Sequence, residues 1–329
     1  MKKYKFNIIL GIASGVIFVL LIIFTNGWMD LIHQMKNLQI QWIFVAVISM
    51  MLYWIFEAKT LQSIILLMKK DYKFKQAFKV TMVGQYFNSI TPFASGGQPM
   101  QLYSLTKQKL GAGKSGSALM IKFIIYQTIL TIYSLILIFW KAAFFKSKMS
   151  NLFYLIGFGF TVNASVIICL IIFSKYRKLT RKLIIAFSKV LGKFRVVKNI
   201  SKLEIRINEN LDQFHDNMEI VKHSKGLMLK AVVYTVFQLT IYFSIPYFIY
   251  LSFGMKGASI GSMIAATAFV IMLTAFIPLP GAIGGAEGAF YMFFSLFFVS
   301  NNIMAAILLW RIITFYSCII FGFYATVKN

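Results

Sequence analysis

The sequence predicts an all-α polytopic membrane protein, with about seven or eight transmembrane helices and, beside them, re-entrant or broken helices in a possible inverted repeat. Three observations carry that prediction. Hydrophobic residues make up 59% of the chain and charged residues 13%, about half the charged share of an ordinary soluble domain. Apolar runs near 8–25, 42–66, 117–140, 152–174, 227–253, 259–279 and 303–326 are each close to the roughly 20 residues that cross a bilayer. Basic residues fall between those runs, and unevenly so.

The first run follows Met1-Lys2-Lys3-Tyr4-Lys5 and ends at Thr25-Asn26-Gly27-Trp28 without a small-residue cleavage site. It reads as an uncleaved first helix with its N-terminus inside. The lysines at 69, 70, 73, 75 and 79 then follow the second run on the inner side. The 175–225 segment holds thirteen Lys and Arg residues and belongs inside by the positive-inside bias. Parity allows this only if 80–116 dips into the membrane and returns to the same side. Lys36, Lys141, Lys146, Lys148 and Lys256 are left outside. Both termini are therefore expected in the cytoplasm, with the chain in the bacterial cytoplasmic membrane. The net charge of +25 is spread between apolar runs, so it points to topology and anionic lipid headgroups, not nucleic acid.

The chain reads as a single membrane domain. A first half, 1–174, contains a broken helix at 80–110. A basic segment, 175–225, carries an apolar stripe at Ile200, Leu203, Ile207, Leu211, Phe214, Met218 and Val221, the helical spacing of an amphipathic cytoplasmic helix. A second half, 226–329, contains a broken helix at 276–300. About fifty residues of polar segment are too few for a catalytic domain.

The two breaks share a pattern. In the first, Pro92 precedes Gly96 and Gly97, with Gln98 next; in the second, Pro278 and Pro280 precede Gly284 and Gly285, with Glu287 two positions on. Proline removes a backbone donor and glycine permits non-helical dihedrals. A pair of such breaks in corresponding halves points to a transport site in inverted-repeat carriers. Ionisable residues inside apolar runs sharpen that site, since each costs on the order of 2.5–3.5 kcal/mol at a helix centre. They are Glu57, Lys59, Lys122, Glu287 and Arg311. Pairing is expected between Glu287 and Arg311 and between Lys122 and Glu57; Lys59 and Lys122 also have the option of snorkelling. Gln85, Asn88 and Gln98, with Gln101, Tyr126 and Gln127, are candidates to line the same headgroup cavity.

No metal, cofactor or catalytic centre is expected. Cys169 and Cys318 lie inside apolar runs without a second ligand at suitable spacing, and His33, His215 and His223 are dispersed. Gly111-Ala112-Gly113-Lys114-Ser115 lacks the first glycine of a phosphate loop.

Across 84–103, 276–294 and Leu309-Trp310-Arg311 the sequence resembles the flippase-like membrane region of the lysylphosphatidylglycerol synthase/flippase family. The resemblance covers nearly the whole chain. It implies a lipid translocator, because in two-part members this region moves aminoacylated phosphatidylglycerol between leaflets while a soluble domain loads the amino acid from aminoacyl-tRNA. Here the sequence stops three residues after the last apolar run, so the resemblance implies a stand-alone membrane region without aminoacyltransferase activity. Many members carry an acidic–arginine pair after the first hairpin, where this chain has Met120-Ile121-Lys122-Phe123. The expected partners are membrane lipids (anionic phospholipid, aminoacyl-lipid or glycolipid), a second copy of the chain, and a separate lipid-synthesising enzyme. A secondary transporter of a small anionic solute and a non-transporting scaffold are the alternative readings.

Overall fold

The computed structural model describes residues 34–148, 153–182, 224–275 and 277–327, with five positions between 209 and 217. The expected first helix at 8–25 and the apolar stripe of 200–221 lie outside the described residues. Among the described residues every regular element is helical. In lipid this follows from the backbone, whose N–H and C=O groups find no water and must pair within the segment.

Helix α1, Ile40–Ile65, contains neither proline nor glycine and is about 39 Å long, enough to cross. Then α2, Phe74–Ile90, breaks at a 3-10 turn, Pro92–Ala94, and α3, Gly97–Lys107, returns. These arms are about 25 Å and 16 Å long, each shorter than the ~30 Å hydrocarbon core. Helix α4, Ala112–Lys148, is long and apolar enough to cross, and α5, Phe153–Lys175, packs beside it. The second half repeats the order. Helix α6, Lys225–Ser252, spans; α7, Ile260–Thr274, enters; a 3-10 turn, Pro280–Ala282, breaks it; and α8, Gly285–Phe294, returns. The final span, Ile303–Val327, consists of α9, Ile303–Arg311, a π-helical stretch, Ile312–Tyr316, and α10, Ser317–Val327.

Both short-armed units are hairpins that leave on the side where they entered. Tyr72, just before α2, donates its hydroxyl to Gln108 Oε1 at 2.7 Å, just after α3, and Gln108 Nε2 reaches the Gln76 carbonyl at 3.4 Å. In the second hairpin Phe298, beyond α8, packs on Tyr250 and Phe253 at the end of α6, with ring centroids 5.4 and 6.0 Å apart. The apolar run at 259–279 thus divides into the 15-residue α7 and the start of a break, and 259–300 forms one re-entrant hairpin.

The repeat is inverted. Helices α1 and α6 run antiparallel along their whole length: Gln39 N donates to Ser252 O at 2.7 Å, the Tyr53 and Tyr242 rings lie 4.9 Å apart, and Thr60 meets Thr235 at 3.5 Å. Each hairpin starts from the far end of its own long helix, so the two enter from opposite faces. Pro246 inside α6 interrupts the helix ladder, and Thr267 of α7 donates to the nearby Phe243 carbonyl at 3.0 Å. On the face where the first hairpin starts, Arg177 pairs with Asp212 and lies 3.9 Å from Asp216. Gln213 lies beside Gly111, which ties the basic segment to the lysine-bearing loops.

Close approach rests on glycines, two of which show it most plainly. A Cβ on Gly97 would lie 1.9 Å from Asn88 Oδ1, and one on Gly322 would lie 2.7 Å from the Met82 carbonyl. Gly322→Leu is expected to lower stability by about 1–3 kcal/mol through overpacking of α10 on α2, read by thermal unfolding in detergent. In a background lacking Cys169 and Cys318, cysteines at Lys73 and Lys109 are expected to react with an impermeant thiol reagent from one side and a cysteine at Lys256 from the other. Labelling of Lys73 and Lys109 from opposite sides would exclude the hairpin.

Candidate functional site

The tips of the two hairpins pack against each other. Their backbones match at the interval that separates Pro92 from Pro280. Thr91 and Leu279 are extended, with φ,ψ of −122°,145° and −110°,147°. Phe93 and Gly281 are left-handed, at 54°,21° and 61°,15°, and Ala94 and Ala282 follow at φ 51° and 52°. Left-handed backbone costs a non-glycine residue roughly 1–2 kcal/mol, so three such residues at two equivalent tips mark a conformation that the surroundings enforce.

The tips lie near the middle of the final span. A Cβ on Gly281 would stand 2.1 Å from the Phe315 ring, and Phe315 is central in Ile303–Val327. Within and just after the π-helical stretch there, side chains bond to carbonyls four residues back: Thr314 Oγ1 to Trp310 O at 2.7 Å, Ser317 Oγ to Ile313 O at 2.5 Å and Cys318 Sγ to Thr314 O at 3.2 Å. Such bulges recur at functional sites.

Arg311 immediately precedes that stretch and is 5% exposed. Its Nε donates to Glu287 Oε1 at 2.7 Å, and its Nη1 donates to the Gly281 carbonyl at 3.1 Å. The guanidinium carbon lies 5.2 Å from the ring centres of both Trp310 and Phe315, a cation–π setting that helps to hold a desolvated charge. Glu287 stands in the first turn of α8 and accepts from Gly284 N at 2.7 Å through its other oxygen, so it caps the helix and neutralises Arg311 at once. Arg311 Nη2 is buried without a partner.

In the first repeat the equivalent amide, Gly96 N, is satisfied by the Thr91 hydroxyl at 2.8 Å, which itself donates to Phe87 O at 2.6 Å. That hairpin needs no carboxylate. Its neighbouring ion pair is built elsewhere: Lys122 Nζ of α4 donates to Glu57 Oε1 of α1 at 2.6 Å, and Gln85 Nε2 of α2 donates to Glu57 Oε2 at 2.5 Å. Gln85 also touches Tyr53 Oη at 3.4 Å and Cys318 Sγ at 3.6 Å. Both carboxylate oxygens of Glu57 are therefore occupied, and the residue is 6% exposed.

The two pairs belong to one buried polar tract. Tyr242 of α6 packs at a tilt on Tyr53 and lies close to Arg311, Thr314 and Cys318, while Tyr126 lies close to Glu57 and Tyr242. The structure thus brings together Glu57, Lys122, Gln85, Glu287 and Arg311. It places Asn88 against Gly97 and leaves Gln98 exposed in the first turn of α3, bonded to neither pair. Gln127 makes a helix–helix bond to Asn163 of α5 at 2.5 Å, Gln101 packs on Gly84, and Lys59 leans over the Tyr234 ring at 5.6 Å. Of the break residues, Pro92, Pro278 and Gly284 are exposed and Pro280 and Gly285 half-buried. Tyr53, Tyr242 and Cys318 were not expected. Tyr53 carried a signal, since it lies one helical turn before Glu57 and so on the same face.

The sequence model of the lysylphosphatidylglycerol synthase TM region matches residues 8–322. Curated relatives include UPF0104 membrane proteins from three archaea. That of Methanocaldococcus jannaschii is 23% identical, covering 98% of this chain and 95% of its own. That of Methanothermobacter thermautotrophicus is 26% identical over 70% and 68%, and that of Archaeoglobus fulgidus 24% over 76% and 74%.

Lys122→Met should leave Glu57 buried without its cation and lower stability by about 3–5 kcal/mol. The double variant Glu57→Gln/Lys122→Met should recover most of that loss. A thermal-unfolding double-mutant cycle reads the coupling, and additive single effects would contradict the pairing.

Proposed function

Because the chain belongs to the lysylphosphatidylglycerol synthase TM-region family, we propose that it is a lipid translocator, moving an anionic phospholipid, aminoacyl-phospholipid or glycolipid between leaflets of the cytoplasmic membrane. The observation that carries this reading is the meeting, near mid-span, of two half-helix N-termini beside the buried Arg311. A translocator must offer a charged headgroup a polar path while its acyl tails stay in lipid. Helix N-termini present free amides and the positive end of the dipole, which suit an anionic group. The protein's part is then binding and passage, without covalent chemistry. The positive-inside bias supports an orientation with the lysine-bearing loops and the basic segment in the cytoplasm.

The test is a headgroup-accessibility assay in proteoliposomes across a panel of labelled lipids. The wild type should speed leaflet exchange for one lipid class, and Arg311→Ala should cut that rate by about 100-fold, as expected for loss of a buried charged group, while inserting normally. Equal rates in the two proteins would refute the proposal. Uptake of a soluble anion without lipid exchange would replace it with solute transport.

A further inference from the structure

Two buried ion pairs flank the hairpin tips, but they are not equivalent. Glu57 and Lys122 are closed by Gln85, with both carboxylate oxygens occupied. Around Arg311, Nε and Nη1 are engaged and Nη2 is not, although the residue is 5% exposed. A buried charged donor left unpaired is costly, so its retention calls for an acceptor that arrives from outside. In a guanidinium Nη2 shares an edge with Nε, and Nε reaches Glu287 in the first turn of α8. The free donor therefore opens toward the N-terminus of α8. There Gly284 N is taken by Glu287, while the next first-turn amides lack intrahelical acceptors. Helix α8 has ten residues and its N-terminus points to mid-span.

We infer that Arg311 Nη2 and the first-turn amides of α8 form a subsite for a phosphate-type oxyanion, with Glu287 as the resident counter-ion that holds the guanidinium in place when the subsite is empty. This rests on the translocator reading only for the source of the anion, a lipid headgroup and not free phosphate. The first repeat contributes no second subsite: Thr91 closes its Gly96 amide with a neutral hydroxyl, and Lys122 is committed to Glu57. Glu287 has a further consequence. Its charge adjoins the incoming anion, weakening retention at mid-span and favouring release. Removing that charge should tighten binding while slowing passage.

The experiment uses the full chain in a non-ionic detergent at fixed ionic strength and follows the unfolding temperature. The probes are inorganic phosphate, short-chain phosphatidylglycerol and a short-chain diacylglycerol that lacks phosphate. Short-chain phosphatidylglycerol should raise the wild-type Tm by about 5 °C at saturation, and diacylglycerol should not. Arg311→Lys keeps the charge and its pairing with Glu287 but lacks the second arm, so the shift should vanish in a protein that still folds. Glu287→Gln should bind the probe about tenfold more tightly, a gain that a purely structural residue would not give, and Lys59→Met should behave as wild type. A full shift with inorganic phosphate alone would support the subsite and remove the lipid headgroup as the source of its anion. No shift with either phosphate probe, or a shift that survives in Arg311→Lys, would overturn the subsite, while leaflet exchange measured separately would still decide translocation.

Discussion

The constraint on which the architecture depends is the hydrogen-bonding requirement of a backbone broken inside hydrocarbon. A helix that stops near mid-span leaves amides and carbonyls that lipid cannot satisfy. This protein meets that requirement locally and twice. Thr91 closes one break with its own hydroxyl; Glu287 and Arg311 close the other with a carboxylate and a guanidinium. The two tips pack against each other. The short arms, the antiparallel α1–α6 pair that sets the hairpins in opposition, and the close approach of α2 and α10 at Gly322 all serve that meeting of tips.

The two closures differ in charge. Inverted repeats start from the same backbone geometry, as the paired left-handed residues Phe93–Ala94 and Gly281–Ala282 indicate. The side chains then diverge. A neutral closure costs no desolvated charge but offers nothing to an ion. A charged closure is expensive to bury, and it is held here by Glu287, the Gly281 carbonyl and two aromatic faces. In the proposed translocator this asymmetry assigns the working charge to the second repeat, while the Glu57–Lys122–Gln85 cluster ties α1, α2 and α4 together.

Much of this was legible in the sequence, for physical reasons. Charges are rare in apolar runs because they are costly, so Glu57, Lys122, Glu287 and Arg311 stand out, and few partners are available to each. The Pro–Gly–Gly spacing exposed the equivalence of the breaks. Loop lysines indicated through parity that 80–116 returns to its own side. Other features were hidden. The run at 259–279 is apolar and long enough to cross, and only its tertiary partners show that α7 stops after 15 residues. The π-helical stretch coincides with hydroxyl and thiol bonds to carbonyls that ordinary helices here also contain, so no local pattern announces it. Tyr242 and Cys318 join the polar tract through contacts between distant helices, which local spacing does not encode. That Gln98 is exposed while Gln85 is at the centre depends on the register of the hairpin, which residue type alone does not fix.

The meeting of the tips is tested most directly by distance. Spin labels at Ala94 and Ala282, read by pulsed dipolar spectroscopy in lipid nanodiscs, should show a short separation within the range of adjacent sites. Labels separated by something near the ~30 Å thickness of the hydrocarbon core would mean that each hairpin stays at its own surface, and the account of a shared mid-membrane site would be contradicted.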